Sequence, residues 1–284
     1  MIPVVAGSSP VGHPSLAPRA PLRWRALALR GATPQAAFQA VAHAALAQIE
    51  ANARGALLSD NPEFLHQLRV GLRRLRSALR AFREVLARKS VRRTIRTLRK
   101  FSPRLGAARD WDVLVARMET GAVLPDLLRK AYARRDAARR VARRTLISKS
   151  FAAMPSEVRA LALAHDNRSL PQFGAAALAR AHARLMREAR GADWSDSAER
   201  HAIRIRVKRL RYTCEFFAPA FTSRRAAAYL TALKALQDIL GELNDIAVGR
   251  RLIGYRGDES ALLKRLAPAW RELERRPVFW RAPA

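Results

Sequence analysis

HQLRVGLRRLRSALRAF, running from His66 to Phe82, sets five arginines and a histidine among a full complement of leucines. A helix advances about 100° per residue, which brings His66, Arg69, Arg73, Arg76 and Arg80 into one wedge about 80° wide. Leu65, Leu68, Leu72, Leu75, Leu79, Phe82 and Leu86 fill the opposite and adjoining sides. The segment therefore reads as an amphipathic helix with a core face and a ridge of one sign about four turns long. Like charges stacked one turn apart destabilise a helix mildly, so something outside it has to compensate them.

The same pattern returns further along. HAIRIRVKRLR from His201 repeats HQLRVGLRRLR from His66 at an offset of 135 residues, and LGELNDIAV from Leu240 repeats LGAARDWDV from Leu105 at that offset. In the second copy His201, Arg204, Lys208 and Arg211 form the ridge and Arg209 flanks it as Arg74 flanks the first. Two positions differ: Glu215 stands where Arg80 would recur, and Tyr212 replaces Ser77. The second ridge is thus expected to be shorter and internally paired at its end. A merely solvated charged face has no need to keep its histidine and bases at matching steps after duplication, so the repeat points to a shared ligand.

Apolar residues elsewhere recur at three- and four-residue spacing with almost no alternation, which predicts an all-α fold. Breaks at 59–63, 120–125, 152–157, 165–174, 190–197, 218–224 and 254–260 leave about eight helices, four to each half. The expected architecture is two pseudo-twofold-related four-helix bundles in one compact domain over 33–280, with a first repeat at 33–150 and a second at 171–280. Residues 1–32, rich in Pro, Gly, Ser and Arg, read as a disordered leader with no sustained apolar signal segment.

The charge is lopsided: 54 Lys and Arg, seven of them Lys, face 23 Asp and Glu, for a net charge of +31. Self-repulsion on that scale makes a polyanion the natural partner. A GC-rich coding sequence would also enrich Arg, Ala and Pro together, so the bias alone does not name a ligand. A single cysteine, Cys214, rules out an internal disulfide and fits a reducing compartment. No apolar run has the length of a membrane span, so a soluble, cytoplasmic protein is expected.

Guanidinium suits phosphate because its planar fork donates two hydrogen bonds at once and keeps its charge at any physiological pH. A row of such forks matches a chain carrying an anion at every repeat unit. A histidine at the head of each ridge either donates to phosphate or holds the helix in place. Arg99 and Lys234, Lys130 and Arg265, and Arg129 and Lys264 also match at the offset and could line the same groove. Asp110 recurs as Asp245 but Asp112 becomes Ala247, which leaves too few carboxylates for a two-metal hydrolase. Asp110 and Asp245 therefore read as partners for arginine, and no catalytic residue, cofactor or metal site is expected.

The histidine-led helix, its repeat, LGxxxD downstream in both copies and the closing RELERRPVFW together resemble the CHAD family, the conserved histidine α-helical domain, over Thr33 to Trp280. The resemblance implies two four-helix bundles around a basic channel that binds inorganic polyphosphate, often at intracellular polyphosphate granules with their associated proteins. Carried across, it points to His66, Arg69, Arg73 and Arg76, and to His201, Arg204, Lys208 and Arg211. Arg109 becomes Asn244, so the downstream motif is only partly kept. Many relatives add a catalytic triphosphate-tunnel domain, for which this length leaves no room. The expected polyphosphate site comprises His66, Arg69, Arg73, Arg74, Arg76, Arg80, Arg99, Lys130, His201, Arg204, Lys208, Arg209, Arg211, Lys234 and Arg265. Nucleic acid is the rival ligand, as a nonspecific competitor, although Tyr212 is the sole aromatic between the ridges where single-strand binders interleave several.

Overall fold

A computed structural model describes residues 20–121, 125–221, 225–254 and 257–281. The described residues are helical, with α1 (Pro34–Leu58), α2 (Pro62–Ala81), α3 (Arg88–Glu119), α4 (Pro125–Leu146), α5 (Lys149–Arg159), α6 (Leu170–Arg190), α7 (Ser197–Phe217), α8 (Arg225–Ile253) and α9 (Ser260–Arg275). The all-α expectation holds, and the packing follows the repeat. Helix α1 packs on α2, α2 on α3 and α3 on α4, as α6 packs on α7, α7 on α8 and α8 on α9. Both motif helices start at equivalent positions with equivalent caps. The side chain of Asn61 accepts from the Glu63 N–H at 2.9 Å, and Asp196 accepts from the Ala198 N–H at 2.9 Å. Each cap satisfies a backbone donor that the first helical turn leaves free.

Four phenylalanines join the halves. Phe38 meets Phe82 with ring centroids 5.7 Å apart, and their equivalents Phe173 and Phe217 meet at 6.0 Å. Phe82 and Phe217 then touch each other at 4.9 Å. All four are buried, and burying one such side chain contributes about 1.5–3 kcal/mol. One continuous core thus runs through both bundles. It fixes the C-terminal ends of α2 and α7 together, so that their basic N-terminal halves face a shared space.

Two expectations are corrected. Of the leader, residues 1–19 lie outside the described residues, but 20–32 are packed. Leu29 is buried, Asn52 donates from Nδ2 to the Leu22 carbonyl at 2.8 Å, and Trp24 meets Phe216 edge-on at 5.9 Å. The apolar residues of LRWRALAL outweigh the composition of the segment as a whole. Nor does the chain break at 152–157: α5 runs through Pro155 because Phe151, Met154 and Val158 present one buried face at helical spacing. Phe151 packs on Phe101 of α3 at 5.2 Å.

Candidate anion-binding site

A cavity of about 1010 Å³ opens between the N-terminal halves of α2 and α7 and the C-terminal halves of α3 and α8. Its walls carry His66, Arg69 and Arg73 from one ridge and His201, Arg204 and Lys208 from the other. The cationic ends of both ridges therefore share one enclosure.

Their charges are poorly compensated. Arg69 Nη1 and Arg204 Nε are buried without a hydrogen-bond partner. The nearby carboxylates are shared: Asp110 lies 4.0 Å from Arg251 and Asp245 3.9 Å from Arg117, while both also attract the cavity cations, Asp110 chiefly Arg69 and Asp245 both Arg204 and Lys208. Burial, followed by the neighbouring charge of Arg73, lowers the Arg69 pKa to about 10, which still leaves it charged at neutral pH. Lys208 is affected far more: burial, then Arg73 and Arg204, pull it from 10.5 to about 5. An ammonium loses more hydration than a guanidinium on leaving water, and it neutralises first. Burial also raises the Asp110 carboxyl, against the pull of Arg69 and Arg251. Sequence reasoning assigned Asp110 and Asp245 to arginine, and the ion pairs bear this out.

The two histidines have diverged. Nδ1 of His201 lies 2.7 Å from Oδ1 of Asn244; because that oxygen only accepts, Nδ1 carries the proton and the ring is fixed with Nε2 free. His66 faces Arg109 instead. Burial, then Arg109, holds its pKa near 4, so it is neutral at physiological pH. The replacement of Arg109 by Asn244 thus separates a repelled histidine from an anchored one.

The remaining expected residues fall into three groups. Arg76, Arg80, Arg99 and Arg209 form a neighbouring cluster: Arg76 Nη1 donates to Ser102 Oγ at 2.9 Å, and Arg80 Nη1 donates to the Arg76 carbonyl at 2.9 Å. Arg74 and Arg211 are occupied. Both bond Glu215, and Arg211 Nε also donates to Gln237 Oε1 at 2.8 Å. Arg74 is further sandwiched between Trp24 and Tyr212, 4.6 and 4.9 Å from the ring centres. The expected internal pairing at the end of the second ridge is present, and it reaches across to the first. Lys234 pairs with Asp238 at 2.6 Å on the surface, and Lys130 and Arg265 are exposed on α4 and α9 without lining the cavity. A matching offset is no guide for these three, because it fixes position along a helix but not what stands opposite.

Sequence reasoning passed over Gly106. An ideal Cβ at this position would lie 2.8 Å from Nη1 of Arg69, whereas Gly241, its equivalent, has no heavy atom within 4 Å. The glycine of the first LGxxxD therefore makes room for the Arg69 guanidinium against α3. Since the conflict is with the end of a flexible side chain, Gly106→Ala should cost little stability; better helix propensity offsets the clash by about 1 kcal/mol. It should nonetheless displace Arg69 and weaken anion binding about tenfold. A thermal melt and a binding titration on the same variant check both halves; undiminished binding would refute the assignment.

Among the described residues no helix is long and apolar enough to cross a membrane, and no three His, Cys, Asp or Glu side chains converge as metal ligands. A model of the CHAD domain matches residues 40–254. Among solved structures the chain is similar to the crystal structure of the CHAD domain from the plant Ricinus communis. The identity is 30% over 92% of this chain and 94% of that one, with a TM-score of 0.71. It is also similar in fold to PptA from Streptomyces chartreusis, at 18% identity over 85% and 95% of the two chains and a TM-score of 0.57. No curated protein matches. The histidine-led helices, their duplication and the match over most of the helical chain have one common explanation: the protein belongs to the CHAD domain family.

Proposed function

We propose that this protein binds inorganic polyphosphate in the cavity between α2 and α7 and does not hydrolyse it. The observation that carries the reading is the convergence of Arg69, Arg73, Arg204 and Lys208, two from each half, on one enclosure where guanidinium donors lack partners. A phosphate chain supplies oxygens at every unit and returns the hydrogen bonds that burial removes. Among the described residues the cavity is lined by no Phe, Tyr or Trp on which bases could stack, so nucleic acid is the weaker ligand. Asp110 and Asp245 do line the cavity, but Asp112 is bonded to Arg139 at 2.7 Å away from it, and among the described residues no three acids or histidines converge to hold a metal ion for hydrolysis. On the same reading the protein acts in the cytoplasm at polyphosphate granules.

The test is a competition titration of long-chain polyphosphate against RNA, DNA and ATP at two salt concentrations, with phosphate release followed with and without magnesium. Polyphosphate is expected to bind most tightly, with one chain spanning both halves and no phosphate released. RNA binding of equal strength at physiological salt would refute the ligand, and turnover that is lost in Arg69→Ala would refute the non-catalytic reading. Two independent chains per protein would refute the shared cavity.

A further inference from the structure

Arg74 and Glu215 meet across the interface of α2 and α7. Because the halves repeat at 135 residues, the equivalent contact joins Arg209 to position 80, and position 80 is an arginine. One flank of the paired helices is thus closed by an ion pair, and the other brings two guanidinium groups together.

We infer that a long polyanion held in the cavity continues along one flank of the paired helices only, over a strip formed by Arg76, Arg80, Arg99 and Arg209 between α2, α3 and α7, and that Glu215 closes the counterpart flank. The inference rests on the polyphosphate reading and adds which way the chain leaves. On the sealed flank the three bases equivalent to the strip have carboxylate partners: Glu215 holds Arg74 and Arg211, and Asp238 holds Lys234. On the open flank the acceptors are neutral, the Ser102 hydroxyl for Arg76 and the Arg76 carbonyl for Arg80. Glu188 at its border is already shared by Arg184 and Arg206. Among the described residues none of the four strip arginines has a carboxylate within 4.0 Å. Arg80 and Arg209 each feel the other, or its neighbours, as like charge.

On α2 the strip starts one turn beyond Arg73, which stands on the cavity wall, and it reaches the surface at exposed Arg99. Arg76 is repelled by Arg73 and Arg69 on one side and by Arg209 and Arg99 on the other. Outward from Arg99, α3 presents Arg96 and Arg92 at helical spacing, both exposed. Their equivalents in α8 are Thr231 and Ala227. A solvated surface accounts for exposed arginines such as Arg99, but not for half-burying Arg76, Arg80 and Arg209 beside one another with their charges unmatched.

Calorimetric affinities for tripolyphosphate and for long-chain polyphosphate test the path. Arg80→Ala/Arg99→Ala is expected to lower the long-to-short affinity ratio about tenfold, whereas Lys234→Ala, equivalent to Arg99 on the sealed flank, leaves the ratio unchanged. Arg99→Glu, at an exposed position, serves if the double variant folds poorly, and should lower the ratio as well. Arg69→Ala is expected to weaken both ligands. If the ratio survives in Arg80→Ala/Arg99→Ala and in Arg99→Glu, or falls equally in Lys234→Ala, the one-sided path is wrong while the polyphosphate reading stands. If Arg69→Ala affects neither ligand, the polyphosphate reading itself fails.

Discussion

Replacing Arg69 and Arg204 together by methionine is expected to raise the melting temperature of the ligand-free protein and to abolish polyphosphate binding. The two effects share one cause. Each guanidinium has a buried nitrogen with no partner, and each is repelled by Arg73 more strongly than it is attracted by Asp110 or Asp245. Methionine keeps the length and packing of the stem and removes the desolvated charge. Substituting apolar groups for buried ionic ones is commonly neutral or stabilising by about 1–4 kcal/mol, and each kcal/mol moves the melting temperature of a chain of this size by about 2–4 °C. Binding goes the other way. A hydrogen bond to a charged group contributes about 1.5–3 kcal/mol, so the two losses together amount to at least a hundredfold in affinity. A melt and a titration of the double variant decide it. A lower melting temperature with retained binding would show that these arginines hold the fold rather than a ligand.

That trade marks what the sequence can and cannot disclose. The fold was legible because hydrophobic periodicity is local and the duplication checks it twice: Leu68, Leu72, Leu75 and Leu79 fall on the buried face, and the helix starts at Pro62 and Ser197 coincide with the offset. The core of the site was legible for the same reason, since a wedge on one helix stays a wedge wherever the helix goes. What stood opposite the wedge was not. Arg74 shares its helix with Arg73 and its turn with Arg76, yet it points to Glu215 and Trp24, which lie far along the chain on either side. Helix α5 escaped notice because a proline in its interior resembles a stop, and only the packing of Met154 and Phe151 on the core overrides it. Gly106 needed coordinates too: its role lies in the path of the Arg69 guanidinium rather than in its own backbone.

Polyphosphate binding is expected to take up close to one proton per protein at pH 8, and Lys208 to be its acceptor. Lys208 is buried beside Arg73 and Arg204, and with the cavity free of anion its pKa is about 5 instead of 10.5. A folded-state value below the unfolded one means that its neutral form is favoured on folding. The stability this gives is complete above 10.5 and is lost progressively as pH falls towards 5. A bound polyanion acts in the opposite sense, favouring the ammonium and raising the pKa in the complex. Affinity is therefore greatest below about pH 5, and it declines by up to about tenfold per unit as pH rises to the value in the complex. His66, with a pKa near 4 in the free protein, follows the same sign, so the comparison with Lys208→Arg is what separates the lysine from it. Long chains are the proper probe, because their internal phosphates stay ionised throughout and only the chain ends titrate. Calorimetry in buffers of different ionisation enthalpy counts the protons directly. Lys208→Arg carries a permanent charge into the same position and should bind without that uptake, its affinity nearly level between pH 7 and 9. Heats independent of buffer in the parent protein, or unaltered uptake in Lys208→Arg, would remove Lys208 from contact with the ligand.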